Sequence, residues 1–306
     1  MRAELLSDRG DAAVSDDFFR SRPFYDAEGV THSLALAALR LPVIVREVPG
    51  AAGHIDAISP YGYPGGSGSG EPPSPAEADW AATGLVSLFV RDRIGPPPCL
   101  AGGSERSRVQ VHDPALARSL RPRLASQIRR NERRGWEVRA VAGPEADAAQ
   151  RQAFLGLYTE TMTRTEAAPR YFYEAPYFEA LLAYPRSWLL LASSAGAEHG
   201  AGAVAALSDG VLHYYLGGTA EAALEDSPFK NVVAAMIGLA DELGAPLNLG
   251  GGLRPGDGLE DFKRGFANSE LPFITHEVVC DPAAYAQLSG GRDEGDFFPA
   301  YRAQPA

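Results

Sequence analysis

The stretch LGGTAEAALEDSPFKNVVAAMIGLADELGAPLNLGGGLRPGDGLEDFKRGF, residues 216–266, determines the fold of the second half of the chain. Two glycine clusters, Gly217-Gly218 and Gly250-Gly251-Gly252, flank one amphipathic segment. Apolar side chains recur in that segment every three or four residues and Gly244 follows it, which predicts a helix over Lys230–Leu243 between two strands. The same stretch contains both lysines of the chain, Lys230 and Lys263.

Size and composition indicate a soluble, globular protein with two domains. The chain has 306 residues, of which 45% are hydrophobic and 22% charged, and a chain of this length is long for a single core. It contains no run of about 18 apolar residues, so no membrane span is expected. The first residues lack the apolar core of a signal peptide, and we therefore expect a cytoplasmic protein.

The two cysteines give no sign of a disulfide or a metal site. Cys99 and Cys280 lie far apart in the sequence, without the spacing of zinc ligands. We expect ordinary reduced thiols and no bound metal.

Positive charge is concentrated in one segment. Residues 118–134 carry seven arginines and one glutamate, a charge of +6, whereas the whole chain has a net charge of −11. Pro122 and Gly135 bound a predicted helix over Arg123–Arg134. Such a face either binds one polyanion at a defined place or is a solvated face whose arginines pair with nearby acids.

The order of predicted elements gives an α+β fold with a mostly antiparallel sheet. The second half has two helices, three strands, the Lys230–Leu243 helix, a strand, a short helix over Leu259–Phe266 and a last strand. The first half has strands over Pro42–Val48 and Leu85–Val90, and a helix is predicted to start at Asp113-Pro114. We place the domain boundary at Gly143-Pro144, giving domains over 1–144 and 145–288, with the tail 289–306 packing back on the first.

This order resembles the acyltransferase fold of the GNAT superfamily. In that fold, a glycine-containing loop and the N-terminus of the central helix hold the pyrophosphate of coenzyme A. The corresponding residues here, GGTAEAALEDSPFKN, lack the loop motif and carry three acidic residues, which disfavours acetyl-CoA. Seven short motifs in order are instead similar to the FemXAB family of tandem-GNAT aminoacyltransferases: SPYGYPG (59–65), SQIRRNERRG (126–135), YFYEAPYFEALL (171–182), YYLGGTAE (214–221), SPFKN (227–231), LGGG (249–252) and LEDFKRGF (259–266).

The resemblance implies transfer of an amino acid from aminoacyl-tRNA to an amine, with no cofactor and no metal. The acceptor would be a small peptide, a natural-product intermediate or a peptidoglycan precursor. Lys263 is the predicted catalytic residue, contacting the tRNA 3′ end or the developing oxyanion, and the alternative is a surface lysine on an amphipathic turn. Predicted substrate-binding residues are Tyr61, Tyr63, Arg164, Arg170, Tyr173 and Tyr215, and predicted tRNA-binding residues are Arg129, Arg130, Arg133, Arg134, Lys230, Phe262 and Arg264.

Two other functions remain open from the sequence. The first is an acyl-CoA-dependent N-acetyltransferase, and the second is a non-catalytic module that binds RNA or an acidic partner through the 118–134 face. Aminolysis of an ester needs positioning and oxyanion stabilisation more than a strong base, so the lack of a Ser-His-Asp spacing does not count against an enzyme. Asp257 and Glu260 are candidates to deprotonate the amine, although helix capping also explains both.

Overall fold

The computed structural model describes residues 1–195, 197–252, 254, 256–291 and 297–303. Its strands are β1 (Ala3–Leu6), β2 (His32–Leu36), β3 (Leu39–Glu47), β4 (Ile55–Ile58), β5 (Leu85–Arg91), β6 (Ser104–His112), β7 (Glu137–Ala142), β8 (Ser187–Ser194), β9 (Ala197–Ser208), β10 (Val211–Thr219), β11 (Leu247–Gly250) and β12 (Ser269–Val279). Its α-helices are α1 (Arg22–Glu28), α2 (Pro122–Arg133), α3 (Ala148–Arg164), α4 (Ala175–Leu182), α5 (Phe229–Leu243), α6 (Gly258–Arg264) and α7 (Pro282–Ser289).

The chain divides into two compact units. Unit 1 comprises Met1–Arg106 and Pro272–Ala306, and unit 2 comprises Ser107–Leu271. In unit 1 the strand order is β1-β2-β3-β4-β5-β12, and only β4 and β5 are parallel. In unit 2 the order is β7-β8-β9-β10-β11-β6, and only β10 and β11 are parallel. Both units therefore have the same strand pattern, a four-stranded meander followed by a parallel and then an antiparallel neighbour.

Helices cover both faces of the unit 2 sheet. On one face α5 buries Val232, Met236, Ile237 and Ala240 against the sheet and the Ile128 side chain of α2. On the other face α3 and α4 contribute an aromatic cluster that includes Phe154, Tyr158 and Phe178. From α2 onward, the helix and strand predictions for this half are confirmed to within a few residues, because the helices carry apolar residues at helical spacing.

Capping accounts for where the helices begin. Asp147 and Gln150 form a capping box at the start of α3, and the side chain of Asp257 accepts the backbone N–H of Glu260 at the start of α6, at 2.8 Å. The capping interpretation of Asp257 is thus confirmed.

The structure places the unit boundary before β6, whereas the sequence suggested residue 144. Residues 107–142 belong to unit 2 because β6 pairs with β11 and β7 pairs with β8. The helix predicted to start at Asp113-Pro114 is also wrong: that dipeptide follows β6, and the first helix after it begins at Pro122. In the tail 289–306, the described Tyr301 hydroxyl lies 2.7 Å from that of Ser87, in the same unit.

Among the described residues, no helix has both the length and the apolar character needed to cross a membrane.

Candidate active site

The parallel strands β10 and β11 separate soon after they pair. Their register contains two pairs, Leu212 with Leu247 and His213 with Asn248, after which β10 continues along β9 as far as Thr219. Within the described residues, the edge of β10 that faced β11 has no strand partner beyond His213. Ligands commonly bind where neighbouring parallel strands diverge, so the opening between β10 and β11 is a candidate site.

Lys263 lies at this opening. Its α6 helix follows the Gly250-Gly251-Gly252 loop, and its Nζ donates a 2.7 Å hydrogen bond to the carbonyl of Gly251. The same Nζ lies over the ring of Tyr214, 5.7 Å from the centroid. Only 8% of Lys263 is exposed, so the alternative of a surface lysine on an amphipathic turn is wrong.

The surroundings of Lys263 are apolar. A cavity of about 20 Å³ lies beside it, lined by Tyr214, Phe229, Val233, Leu249, Leu259, Phe262, Lys263 and Phe266. Burial lowers the pKa of Lys263 to about 8, against a smaller opposing effect of the Asp257 carboxylate. An amine of this kind switches between its charged and neutral forms near neutral pH, and as an ammonium it is a strong donor to a developing oxyanion.

Tyr214 is a residue that the sequence analysis did not single out, although it opens the YYLGGTAE motif. Burial raises the pKa of its hydroxyl. A Cβ at Gly217 would lie 2.7 Å from that hydroxyl and 2.8 Å from the Phe229 ring. Gly217 is therefore needed for close packing against two aromatic rings of the site.

Gly218 faces α3, on the opposite side of β10 from Gly217. A Cβ there would lie 2.4 Å from the carbonyl oxygen of Leu157, so its glycine lets α3 pack directly on the strand. Neither glycine of the pair has a positive φ. The Gly217-Gly218 pair is explained by packing on the two faces of β10.

Two of the predicted substrate-binding tyrosines, Tyr173 and Tyr215, both contact Tyr177 on the α3–α4 face. The hydroxyls of Tyr215 and Tyr177 are 2.8 Å apart, and Tyr173 stacks on Tyr177 with ring centroids 3.8 Å apart. Tyr215 is 9% exposed, so it is mainly a core residue. Because β10 separates this face from the one that carries Tyr214, the tyrosine pair and Lys263 are on different sides of the sheet.

The two predicted substrate-binding arginines lie near this tyrosine cluster. Arg164, at the end of α3, donates to the carbonyl of Thr219 at 3.0 Å, which holds the end of β10. Arg170 is exposed and lies over the ring of Tyr171, 4.8 Å from its centroid. Arg164 therefore has a structural role already, and Arg170 is the more accessible cation of the two.

Tyr61 and Tyr63 belong to unit 1. Tyr61 is 40% exposed, and its backbone N–H donates to the Glu28 carboxylate at 2.9 Å. The Tyr63 ring makes edge-to-face contacts with Phe19 and Phe273, at centroid distances of 5.7 and 5.2 Å. Tyr63 is thus held in an aromatic cluster, and Tyr61 is the one with an exposed ring surface.

The arginines of α2, together with Arg134 directly after it, fall into two sets. Arg134 pairs with Asp226, and Arg130 lies 3.9 Å from the same carboxylate. The pKa of Asp226 is lowered by the hydrogen bond from Trp136 and then by Arg134. For these two arginines the alternative of pairing with nearby acids is confirmed.

The other α2 arginines are exposed cations. Arg123, Arg129 and Arg133 are exposed and make no ion pair with any residue that the structure describes. Lys230, at the start of α5, is half-buried, and its pKa is lowered by burial and then by the positive charges of Arg130 and Arg123. Like charges raise the cost of protonating Lys230, so an anion bound here would relieve their repulsion.

The remaining predicted tRNA-binding residues are on α6. Phe262 lines the Lys263 cavity and contacts Phe266 edge-to-face at 5.3 Å. Arg264 pairs with Glu260 and lies 3.8 Å from Glu270. The Glu260 carboxylate is therefore occupied by Arg264, which argues against Glu260 as the base that deprotonates the amine.

One group in unit 1 has the composition of a metal site. Asp92, Cys99 and His276 each offer a ligand atom, these atoms lie within 4.8 Å of one another, and no other such group occurs among the described residues. The spacing of these residues in the sequence gives no sign of the group, because His276 is far along the chain from Asp92 and Cys99.

Comparison with known proteins agrees with this fold. Residues 118–264 match the model of the Acetyltransferase (GNAT) domain. No curated protein matches the sequence.

Three solved structures superpose on most of the chain, each with 12% sequence identity. FemX has a TM-score of 0.56 and covers 84% of this chain and 89% of its own. L-PGS from Bacillus licheniformis has a TM-score of 0.57, covering 83% and 86%. The C-terminal domain of a putative lysylphosphatidylglycerol synthetase from Agrobacterium fabrum has a TM-score of 0.59, covering 91% and 92%. At this identity the likeness shows the fold: the chain has a GNAT-like fold, and its residues 118–264 match the GNAT domain model.

Proposed function

We propose that the protein transfers an amino acid from aminoacyl-tRNA to an amine and so forms a peptide bond. The observation that carries the proposal is the buried Lys263 ammonium at the opening between β10 and β11, held by the Gly251 carbonyl and the Tyr214 ring. The co-substrate is a charged tRNA, so the proposal implies a cytoplasmic reaction without a cofactor. The acceptor is a small peptide, a natural-product intermediate or a peptidoglycan precursor.

The proposed chemistry is aminolysis of an ester. The neutral amine attacks the ester carbonyl, the C–N bond forms, and the C–O bond to the tRNA 3′ end breaks. The proton lost by the amine is balanced by the one that the leaving hydroxyl gains. Lys263, as an ammonium, donates to the oxyanion of the tetrahedral intermediate, and one such donor contributes about 10²–10³ in rate.

The exposed arginines of α2 support an RNA partner. Arg123, Arg129 and Arg133 present charge without a protein partner among the described residues, beside Lys230 at the N-terminus of α5. Exposed arginines and a helix N-terminus are both suited to phosphate oxygens. We propose these four residues as the tRNA-binding face, with Arg130 and Arg134 positioned by Asp226 beside it.

Acyl-CoA-dependent N-acetyl transfer is the second candidate. Two observations favour it: the GNAT acetyltransferase model matches residues 118–264, and Asp226 is neutralised by Arg134, which removes one of the three charges expected to repel a pyrophosphate. The missing loop motif before α5 still disfavours it.

One assay separates the two candidates. The protein is incubated with tRNA charged with a mixture of radiolabelled amino acids, or with radiolabelled acetyl-CoA, and with a panel of dipeptides and amines. We expect amino-acid transfer that is lost when the charged tRNA is treated with ribonuclease. Transfer that persists after ribonuclease, or acetyl transfer alone, would refute the proposal.

The RNA-binding face has its own test, the salt dependence of tRNA affinity. The double variant Arg129→Ala with Arg133→Ala should bind more weakly and lower the slope of log K against log salt by about two, since each lost phosphate contact lowers it by about one. Arg139→Ala is the matched control, because Arg139 is an exposed arginine on β7, outside α2. An unchanged slope in the double variant would show that Arg129 and Arg133 are solvated surface residues that do not contact the tRNA.

A further inference from the structure

A buried cluster in unit 1 has no part in the proposed acyl transfer. Asp92 follows β5, Cys99 lies in the loop after it, and His276 is in β12. Their exposed fractions are 1%, 5% and 3%. Each presents a ligand atom, a carboxylate oxygen, a sulfur or an imidazole nitrogen, and these atoms lie within 4.8 Å of one another.

Backbone contacts fix the position of the Asp92 carboxylate. Its Oδ2 accepts the backbone N–H of Cys99 at 2.8 Å and lies 3.0 Å from Nε2 of His276. Its Oδ1 accepts the backbone N–H of Arg93, also at 2.8 Å. The cluster is therefore held by the chain itself, which is what a preformed binding site requires.

The imidazole is held tightly and is incompletely bonded. A Cβ at Gly103 would lie 2.5 Å from Cε1 of His276, so only glycine leaves room for the ring at this position. The Nδ1 atom of His276 is buried and has no hydrogen-bond partner among the described residues. The ring nitrogen that faces the cluster is Nε2, 3.0 Å from Oδ2 of Asp92.

We infer that Asp92, Cys99 and His276 bind one transition-metal ion of the zinc class, through oxygen, sulfur and nitrogen. Zinc takes this ligand set, at about 2.0–2.3 Å from each atom, so ligand atoms around it are about 3.3–3.7 Å apart. The three ligand atoms now lie within 4.8 Å of one another, so a bound ion would have to draw them slightly closer together. A thiolate and a carboxylate also balance the charge of a divalent cation, which a buried site needs.

Binding would release the thiol proton and link three parts of unit 1. A thiol must lose its proton to bind a metal ion as a thiolate. The ion would tie the loop between β5 and β6 to β12. Three protein ligands leave a fourth coordination position, which a water molecule would occupy.

Cobalt is the probe for this site, because it occupies zinc sites and absorbs visible light. The full-length protein is stripped with a chelator, dialysed and titrated with Co²⁺. We expect one equivalent to bind, with the intense visible absorption of four-coordinate cobalt and a thiolate charge-transfer band in the near ultraviolet. Zinc added afterwards should displace the cobalt and abolish both signals.

Matched variants identify the ligands. Cys280→Ser is the control, because Cys280 is the other cysteine of the chain and lies outside the cluster; it should retain both absorption bands. Cys99→Ser should lose the charge-transfer band, and His276→Gln should weaken cobalt binding at least tenfold. A wild-type protein that binds no stoichiometric Co²⁺, or a charge-transfer band that survives in Cys99→Ser, would overturn the inference, and both results are independent of any transferase activity.

Discussion

Replacing Lys263 by methionine should stabilise the protein at neutral pH. Lys263 is 8% exposed, and burial lowers its pKa from the ordinary 10.5 to about 8. The folded state therefore holds an ammonium that would be better solvated in the unfolded chain. Methionine has a similar length and no charge to bury, and it suits the apolar cavity formed with Phe229 and Phe262.

The size and the pH range of this effect follow from the same pKa. A fall from 10.5 to about 8 corresponds to an upper estimate of about 3 kcal/mol in the free energy of unfolding at pH 7. Between pH 8 and 10.5 the unfolded state binds more protons than the folded state, so wild-type stability rises with pH across that window. The advantage of Lys263→Met is thus complete below pH 8 and disappears as the pH rises towards 10.5.

Urea denaturation at pH 7 and at pH 10 measures both quantities. We expect Lys263→Met to raise the unfolding midpoint at pH 7 and to differ much less from wild type at pH 10. A residue that lowers stability in place is the signature of a functional site. If Lys263→Met destabilises the protein equally at both pH values, the lysine is a structural hydrogen-bond donor to Gly251 and the reasoning fails.

Three further predictions concern the Lys263 site, the packing of β10 and the arginines near Asp226. Tyr214→Leu removes the ring beneath the Lys263 ammonium, so the basic limb of the transfer rate against pH should move to lower pH, whereas Tyr214→Phe keeps the ring and should leave that limb in place. In Gly218→Ala the added methyl group would clash with the backbone of Leu157, so the variant should have a lower melting temperature. The control is Gly238→Ala on α5, where a methyl group has open space, and it should raise the free energy of unfolding by about 0.5–1 kcal/mol. Asp226→Asn removes the negative charge that pairs with Arg134 and Arg130 and should tighten tRNA binding at low salt; unchanged affinity would show that those arginines lie away from the RNA.

Local patterns in the sequence were enough for the elements of unit 2 from α2 onward. The apolar spacing of Val232, Met236 and Ala240 predicted α5, and Gly244 marked its end with the αL conformation seen in the structure. Strand β6 was missed because its first five residues are exposed and its sequence, SERSRVQVH, shows alternation only at the end. The boundary prediction failed with it, since β6 is what joins the region before α2 to the unit 2 sheet.

The site could be predicted only in part. Lys263 was chosen from its motif, but its burial depends on the Gly251 carbonyl and the Tyr214 ring, which chain folding brings together. The sequence does not reveal which cations are already paired, so Arg134 and Arg129 looked alike before the contact with Asp226 was seen. The Asp92–Cys99–His276 cluster has no spacing signal, because it forms across strands distant in the chain.

The most direct test of the account is single-turnover transfer from labelled aminoacyl-tRNA to an amine acceptor, with wild type and Lys263→Met compared at pH 7.5. We predict that wild type transfers the amino acid and that the variant, folded and binding tRNA with unchanged affinity, transfers it about 10²–10³-fold more slowly. Equal rates in the two proteins would remove Lys263 from the chemistry, and no transfer by wild type to any acceptor in the panel would contradict the proposed function.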